Sequence, residues 1–554
     1  MRFIFVCGGV ISGLGKGITT ASLGFLLKNE GFSVTAIKID PYISIDAGTM
    51  RPQEHGEVFV TKDGGEIDQD LGNYERFLHE DFTKDNNITT GKVYQQVIEN
   101  ERHFVYQGRD AEVIPDVINE IKRRILMVAK NKDFVMVEIG GTVGDVENMP
   151  FLIAARDIGR EYKSAYVMVS FLPFLSTVGE YKTKPTQHAV MQLRREGISP
   201  DFIFTRSGEM VEEEKIDNIA KRCFVDRERI FQLPDVTSIY QVPANLVAQG
   251  SMKSMLDFFG LKKKKKEGRM VKIWQNYVNY SKRDNLPEVK MALVGKYVKA
   301  GSHNHNDTYV SVLEALKHGA FANQVKINLE MISAESLNGK NYKKRLKGFA
   351  GIVVPQGWGS RGMEGKLWAI KYAREEKVPY LGLCYGMQMA CVEFARNVLK
   401  LKGASSEEVD KKTAFPIIHI MSKQAEYLAK KQYGGTIRLG AWPCKLAKNS
   451  HLAGLYKTGG GKKGLPWTEK GNALNIVWER HRHRYEFNNS YKKKFENKGM
   501  VFSGLSPDGK LVEAIELRDH PFFIGTQFHP EYISRLLTPH PVFVGLIAAT
   551  KNRT

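Results

Sequence analysis

Pro379-Tyr380-Leu381-Gly382-Leu383-Cys384-Tyr385-Gly386-Met387-Gln388 is the stretch on which the reading of the chain turns. Val378, Tyr380, Leu381 and Leu383 make a short apolar run of the kind a buried strand needs, and Gly382-x-Cys384-x-Gly386 then has the spacing of a nucleophile elbow with cysteine in place of serine. Glycines two residues before and after the nucleophile let neighbouring backbone pass close while the chain turns sharply from strand into helix. The predicted helix over 387–399 points its N-terminal N–H groups back at the elbow, where they favour a negatively charged sulfur. Most cysteines are small buried hydrophobes. With both glycines, a strand before it and a helix after it, Cys384 is read instead as a nucleophile.

Working outward, 289–295, 325–332 and 351–354 read as strands and 308–322 as a helix, so the elbow sits in an α/β run. The start of the chain repeats the plan. Strand 3–7 is followed by a glycine-rich loop over 8–17, a helix over 18–30 that stops at Gly31, and strand 34–40. That order is a βαβ unit and implies a parallel sheet covered on both faces. Strands at 134–139, 165–172 and 202–205 continue it, and Ile114, Val117, Ile118, Ile121, Ile125 and Val128 form a helical stripe. The expected fold is α/β with two doubly wound domains. Lys262 to Lys266, followed by Glu267 and Gly268, is the clearest break in composition and is read as a solvated linker, giving domains at 1–261 and 287–554 with a basic linker and connecting helix at 262–286. Gly459-Gly460-Gly461-Lys462-Lys463-Gly464 reads as the tip of a loop insertion.

The chain has 554 residues, too many for one core, and 81 Lys plus Arg against 61 Asp plus Glu give a formal charge of +20. No aromatic-interleaved basic stripe or nucleic-acid module accompanies that excess, so it is read as a lysine-rich solvated surface and no nucleic-acid partner is expected. Five cysteines, at 7, 223, 384, 391 and 444, have neither the density nor the spacing of a disulfide framework or a zinc site, which implies a reducing, cytoplasmic setting. The apolar N-terminus meets glycines at once and is expected to be a strand, with no signal peptide and no membrane span.

Gly8-Gly9-Val10-Ile11-Ser12-Gly13-Leu14-Gly15-Lys16-Gly17 lies between a strand and a helix, the context in which backbone N–H groups and a helix N-terminus cradle phosphate and a lysine adds a mobile charge. It departs from a Walker A loop: five residues separate Gly9 from Gly15-Lys16 where four are usual, and Gly17 replaces the hydroxyl residue that would hold Mg²⁺. Carboxylates elsewhere must then hold the metal. Asp68 and Asp70 are candidates, as is Glu138 at the end of a strand, where ligands of open sheets bind.

The sequence resembles the CTP synthase family over nearly its whole length. The resemblance rests on the phosphate loop, Lys38-Ile39-Asp40-Pro41-Tyr42, His55-Gly56-Glu57-Val58-Phe59-Val60, Asp70-Leu71-Gly72-Asn73-Tyr74-Glu75-Arg76-Phe77, Glu138-Ile139-Gly140-Gly141-Thr142-Val143-Gly144-Asp145 and Lys182-Thr183-Lys184-Pro185-Thr186-Gln187-His188. The C-terminal half adds the elbow, Arg480-His481-Arg482-His483-Arg484-Tyr485-Glu486 and Gln527-Phe528-His529-Pro530-Glu531. It implies a P-loop-like, dethiobiotin-synthetase-like amidoligase domain that phosphorylates O4 of UTP with ATP, and a class I glutamine amidotransferase domain that sends tunnelled ammonia to displace the phosphate.

By that likeness Gly13, Leu14, Gly15, Lys16, Gly17, Ile18, Lys38 and Asp70 bind ATP, with Mg²⁺ on Asp70 and Glu138. Ser12, Lys182, Thr183, Lys184, Pro185, Thr186 and Gln187 hold UTP or CTP, and Asp145, Val146 and Glu147 contact CTP. Cys384, His529 and Glu531 form the triad, Gly357 and Tyr385 the oxyanion hole, and Gly386, Met387, Gln388, Glu408 and Arg484 hold glutamine. GTP is expected as an allosteric activator, with Arg438 as a lid residue, and the assembly as a homotetramer able to form filaments. His481 and His483 are left unassigned, because no third ligand accompanies them.

Four departures from the family pattern matter. Pro355-Gln356-Gly357-Trp358-Gly359 replaces Pro-Gly-Gly-Phe-Gly, which bears on the flexibility of the loop beside the oxyanion hole. Tyr385 stands where Leu is common. Ile153 replaces a Glu near the CTP edge, from which weakened CTP feedback is expected; ordinary CTP sensitivity in an inhibition assay would count against it. Asn218 falls where a UTP-contacting Lys is usual, and Lys215 or Lys221 would substitute. The rival readings are another glutamine-dependent amidoligase acting on a carboxylate, which would need no Lys182 run, and a nucleotide-switched scaffold ATPase, which would hydrolyse ATP without glutamine.

Overall fold

The computed structural model describes residues 1–264, 269–300, 303–304, 306–430, 434–459, 475–551 and 553. Lys265 and Lys266 of the lysine run and residues 460–464 of the glycine-rich insertion lie outside the described residues.

Packing divides the chain into two units, and the division is not contiguous. The first unit comprises 1–47 and 70–282, the second 48–69 and 283–554. Two segments therefore sit elsewhere than a contiguous reading puts them. Residues 48–69 join the second unit, and the described part of the lysine run joins the first, where Lys263 pairs with Glu30 at 3.2 Å and Lys264 with Asp133 at 2.8 Å. The helix Arg269–Ser281 follows it there, with Trp274 stacked on Phe25 at 4.1 Å.

The main sheet of the first unit has seven strands, β1 (Arg2–Gly8), β2 (Val34–Asp40), β3 (Asn87–Thr89), β4 (Phe134–Ile139), β5 (Ser164–Phe171), β6 (Phe202–Ser207) and β7 (Ile230–Pro234), in the order β7-β6-β5-β1-β4-β2-β3. Every pairing is parallel. Strands covered by helices on both faces are apolar along their length rather than alternating, and β2 and β4 are buried from end to end. The phosphate loop leads into α1 (Lys16–Asn29), and α2 (Asp70–Leu78) and α3 (Lys184–Arg195) follow later in the same unit. The expected stripe holds from Val117 onward, within and just ahead of the helix Ile118–Ala129. Ile114 is 61% exposed and extended (φ −116°, ψ 113°), because the residue before Pro115 is pushed out of the helical region.

The main sheet of the second unit has nine strands, β8 (Glu288–Gly295), β9 (Lys326–Ser333), β10 (Gly351–Val354), β11 (Tyr380–Leu383), β12 (Arg438–Leu446), β13 (Ile476–His483), β14 (Met500–Leu505), β15 (Val512–Leu517) and β16 (Phe523–Thr526). Their order is β9-β8-β10-β11-β16-β15-β14-β12-β13. The first five are parallel and the remainder antiparallel. The nucleophile strand β11 lies in the middle, flanked by β10 and β16, and α4 (Tyr385–Asn397) leaves its end.

Against this sheet lies the hairpin Val58–Val60 and Glu66–Asp68. Phe59 packs on Tyr532 at 5.2 Å, the Tyr532 hydroxyl donates to the Val58 carbonyl at 3.1 Å, and Arg480 donates to that of Val60 at 3.0 Å. Glu57 accepts from the backbone N–H of Ser311 at 2.8 Å and from the Gln356 amide at 3.2 Å, and Arg482 pairs with Glu66 at 2.8 Å. A piece of chain from far upstream thus walls the second unit.

Candidate active sites

Close packing dictates the elbow. A Cβ on Gly386 would lie 2.0 Å from the Val354 carbonyl oxygen, and one on Gly382 would lie 2.8 Å from the Gly386 carbonyl carbon, so neither position admits a side chain. Cys384 itself is held at φ 50°, ψ −100°, a strained conformation of the kind active sites retain. Its backbone N–H donates to Thr526 of β16 at 2.6 Å, which fixes the turn to the next strand.

The loop after β16 brings the imidazole. His529 Nδ1 bonds Glu531 Oε1 at 2.7 Å, and the ring stacks on Tyr532 at 4.9 Å. Burial opposes a charge on His529, yet Glu531 and then Cys384 lift it to about 10. An imidazole that retains a proton beside a sulfur is suited to hand that proton to a departing amine. Its Nε2 is buried without a hydrogen-bond partner within the protein, leaving a polar atom for a substrate or water.

The loop 355–359 is tied down carbonyl by carbonyl. Lys366 Nζ donates to Pro355 O at 2.8 Å, Lys296 Nζ donates to Trp358 O and to Gly359 O at 3.2 Å, and the Tyr385 hydroxyl donates to Gly359 O at 2.8 Å. Glu408 accepts from the Gly359 N–H at 2.6 Å. Bonds to three carbonyls and one N–H hold the loop in one conformation, the preorganisation an oxyanion site needs. The departures acquire partners: Gln356 reaches Glu57, the Trp358 ring lies 5.6 Å from the Arg482 guanidinium, and the Tyr385 ring lies under the ammonium groups of Lys296 and Lys366. Sequence reading missed both lysines. Lys296 directly follows β8, a position where a charge could have been flagged; Lys366, fully buried on a helix, gives no such signal.

Other expected residues are more deeply engaged than a free binding group would be. Gln388 is buried and donates to Tyr485 O at 3.0 Å and to Gln527 Oε1 at 3.2 Å. Arg484 bonds Gln424 at 3.1 Å and Thr436 at 3.2 Å. Gly386 and Met387 lie in the buried first turn of α4. Arg438 is no lid residue: it opens β12, is buried, and holds Glu513 at 2.7 Å and Glu486 at 3.2 Å. His481 and His483 bond each other at 2.9 Å, and burial drives both well below the usual histidine range, so they are neutral links in a polar network.

In the first unit, Lys38 and Glu138 are register partners on β2 and β4 and meet at 2.9 Å. Lys38 also pairs with Asp70, Tyr74 donates to Glu138, and Lys16 Nζ donates to Gly141 O at 2.8 Å. Burial raises the Glu138 carboxyl, and Asp70 adds to it, so this pocket favours added positive charge. The Asp70 side chain explains the missing hydroxyl. A Cβ on Gly17 would come within 2.3 Å of Asp70 Oδ1, so the carboxylate fills the space where a Walker A loop has Ser or Thr. Among the described residues no three His, Cys, Asp or Glu side chains form a complete metal cage. Two carboxylates leave the remaining positions to phosphate oxygens and water, the coordination Mg²⁺ takes.

Beside Gly15 and Ile18, a cavity of about 90 Å³ is lined by Arg206, Leu233, Pro234, Val236 and Ile239, and Arg206 pairs with Asp235. This flat apolar slot beside a phosphate loop was not read from the sequence. Ser12 and Gly13 are exposed at the loop tip, as are Asp145, Val146 and Glu147. Lys182 and Lys215 share Glu180, the latter at 2.6 Å, and hold its carboxyl down to about 2. Gln187 donates to Thr183 at 3.1 Å and to Asn218 at 3.4 Å. Lys184 and Pro185 open α3, but Thr186 turns inward and bonds Ser170 at 3.0 Å.

A phosphate-loop unit with a carboxylate pair, joined in one chain to a unit built around a cysteine elbow with a His–Glu pair, defines a glutamine-dependent amidoligase. Residues 2–261 match the family described as CTP synthase N-terminus, and residues 305–549 match glutamine amidotransferase class-I. A CTP synthase of Caldanaerobacter subterraneus subsp. tengcongensis is 48% identical over 556 residues, covering 100% of this chain and 98% of that protein. One of Thermococcus gammatolerans is 49% identical over 558 residues, covering 100% and 99%. Among solved structures, the Trypanosoma brucei CTPS glutaminase domain with bound acivicin aligns with 48% of this chain and 94% of its own at 34% identity, with a TM-score of 0.42. The chain belongs to the CTP synthase family and is a ligase that forms a carbon–nitrogen bond.

Proposed function

We propose that the second unit releases ammonia from glutamine at Cys384 and that the first unit uses it, with ATP, to aminate UTP to CTP. The observation that carries this reading is the Cys384 elbow beside the His529–Glu531 pair, in a chain that matches CTP synthases from end to end. The Cys384 thiolate attacks the amide carbon of glutamine, and the oxyanion faces the N–H groups of Gly357 and Tyr385. His529, held by Glu531, protonates the nitrogen as ammonia leaves, then takes a proton from the water that cleaves the thioester to glutamate. Gln388, Glu408 and Arg484 frame the glutamine site.

In the first unit UTP O4 attacks the γ-phosphorus of ATP and ADP leaves. Ammonia then adds at C4, and inorganic phosphate leaves with the former O4. A uracil carbonyl is a poor electrophile, and phosphorylation supplies the leaving group. The residues' work is positioning and charge neutralisation. Lys16 and Lys38 meet the transferring phosphate, and the loop from Gly13 to Ile18 cradles the rest, with the adenine in the slot lined by Arg206 and Val236. Asp70 and Glu138 would hold Mg²⁺, whose positive charge would offset that of the phosphates. Ser12, Lys182, Thr183, Lys184 and Gln187 would bind UTP, with Lys215 supplying the cation that Asn218 cannot. Unchanged UTP affinity in a Lys215→Ala, Lys221→Ala double variant would remove that last assignment.

Ammonia is mostly ammonium at neutral pH, so a protected path between the two reactions is part of the proposal. GTP activation, by family likeness, is read from the same assay with and without GTP. A homotetramer is proposed from family likeness, and the exposed large apolar side chains put the contact surface on the first unit: among the described residues only Tyr427, Trp442 and Trp478 belong to the second unit, whereas Phe104, Val105, Ile114, Phe174 and Val178 are among many in the first. A monomer by light scattering would refute it. The five cysteines are all unpaired, which fits a reducing cytoplasm.

The deciding experiment follows CTP formation with glutamine and, separately, with ammonium chloride. Cys384→Ala is expected to lose the first reaction and keep the second. Loss of neither, or formation of CTP in the absence of UTP, would overturn the reading.

A further inference from the structure

We propose that Gln527 is a further catalytic residue of the glutaminase reaction, an N–H donor to the attacking sulfur, and that Gln388 and His483 are positioning residues that fix its orientation. Gln527 Nε2 lies 3.5 Å from Cys384 Sγ in a fully buried contact. Besides the His529 imidazole, the sulfur has the Arg482 carbonyl at 3.8 Å, which can accept from a thiol but repels a thiolate. The two contacts therefore serve the two protonation states: the carbonyl receives the S–H, and the Gln527 amide meets the anion formed when that proton departs.

An amide can turn either face to a sulfur, and the surroundings decide which. Gln388 Nε2 donates to the Tyr485 carbonyl at 3.0 Å and to Gln527 Oε1 at 3.2 Å. Both N–H bonds of Gln388 are thereby used, and Gln527 must keep its oxygen toward Gln388 and its NH₂ toward the sulfur. Reversing Gln527 would set two NH₂ groups against each other and an oxygen against the nucleophile. The Tyr485 carbonyl is itself held by His483 Nδ1 at 3.2 Å, and His483 Nε2 faces His481 Nδ1 at 2.9 Å. A neutral His483 with its proton on Nδ1 donates to the same carbonyl that Gln388 uses and accepts from His481, so two donors converge on Tyr485 O and hold it in place, and the run of donors to the sulfur starts at Gln388. Gln527 is anchored at its backbone too, where its N–H donates to Glu513 O at 2.8 Å. The sequence displays Gln527 only as the residue two before His529; its role depends on a partner 139 positions away.

The proposal rests on Cys384 being the nucleophile. Its test uses the full chain with Gln527→Leu, which removes the donor, and Gln527→Glu, which keeps the shape but turns an acceptor to the sulfur. Alkylation of Cys384 by iodoacetamide is followed by peptide mass spectrometry from pH 5 to 9 without glutamine, beside steady-state kinetics with glutamine and with ammonium chloride. Both variants should alkylate Cys384 about tenfold more slowly at pH 7, with the profile displaced to higher pH, and lose about 10- to 100-fold in glutamine-driven kcat with KM little changed. Gln527→Glu should be the worse. The ammonia-driven reaction reads a site that contains neither residue and reports on folding. Parent-like alkylation in both variants, an effect confined to KM, or loss of both reactions in both variants would assign Gln527 to packing or substrate binding and overturn the proposal. Retention of glutamine-driven turnover after complete alkylation of Cys384 in the parent would instead refute the nucleophile assignment.

Discussion

Gly17 is the residue at which this phosphate loop parts from the common pattern, and Asp70 is the physical reason. With the carboxylate 2.3 Å from any Cβ at position 17, restoring the usual hydroxyl by Gly17→Ser drives a side chain into the group proposed to hold Mg²⁺. The expected result is a loss of about 100-fold in ATP-dependent CTP formation with either nitrogen source, while glutamine hydrolysis is spared; improved nucleotide binding in the variant would refute this account. The same scale shows what a sequence can and cannot display. Cys384, His529 and Glu531 were legible because each sits in a local pattern, the elbow or the His-x-Glu pair, that carries its own chemistry. Lys296, Lys366 and Arg206 were not, since they act through carbonyls 62, 11 and 27 positions away. Arg438 was misread as a lid residue because a glycine-rich approach says nothing of the two buried carboxylates that await it.

The element proposed to supply the oxyanion site is the loop 355–359, and its rigidity depends on a group with an unusual titration. Burial pushes Lys296 down from 10.5 to about 8. Its charge, and with it the strength of its bonds to the Trp358 and Gly359 carbonyls, is therefore lost near pH 8. Glutamine-driven turnover should fall as pH rises through 8, and Lys296→Arg, which stays charged, should move that fall to higher pH. The linkage sign separates this from unfolding. Because the folded state holds the proton less tightly than the unfolded chain, this lysine's contribution to stability increases between about 8 and 10.5. Activity should then decline while the melting temperature does not drop with it in the parent relative to Lys296→Met; a parallel drop in both would refute the loop argument. Most parallel strands were readable as apolar runs, but β3, β7 and β16, three to five residues each, were not read. The antiparallel half of the second sheet, β12 to β15, was not, because β12 and β13 alternate buried and exposed residues irregularly and carry the charged Arg438, Arg480 and Glu479 inward.

At the scale of the molecule, the least expected feature is the discontinuous second unit. Residues 48–69 reach it from the middle of the first unit's sequence, and nothing in their composition announces that they pack against Tyr532, Arg480 and Arg482. A fragment beginning at 283 would expose Phe59's partner surface and leave the Arg482 guanidinium without Glu66. Such a fragment should unfold at lower temperature and hydrolyse glutamine at least tenfold more slowly than the full chain, and co-expression of 48–69 as a peptide should restore part of both; a fully active fragment would refute the assignment of the hairpin to this unit.

The hairpin also constrains how such chains can be recombined. A hybrid spliced once, at the lysine-rich junction, would take the glutaminase body from one parent and part of its wall from the other, so the acid at 57 and the amide at 356 would have to come from the same ancestor to meet. Grafts with three crossovers, carrying 48–69 along with the C-terminal half, are the ones expected to work.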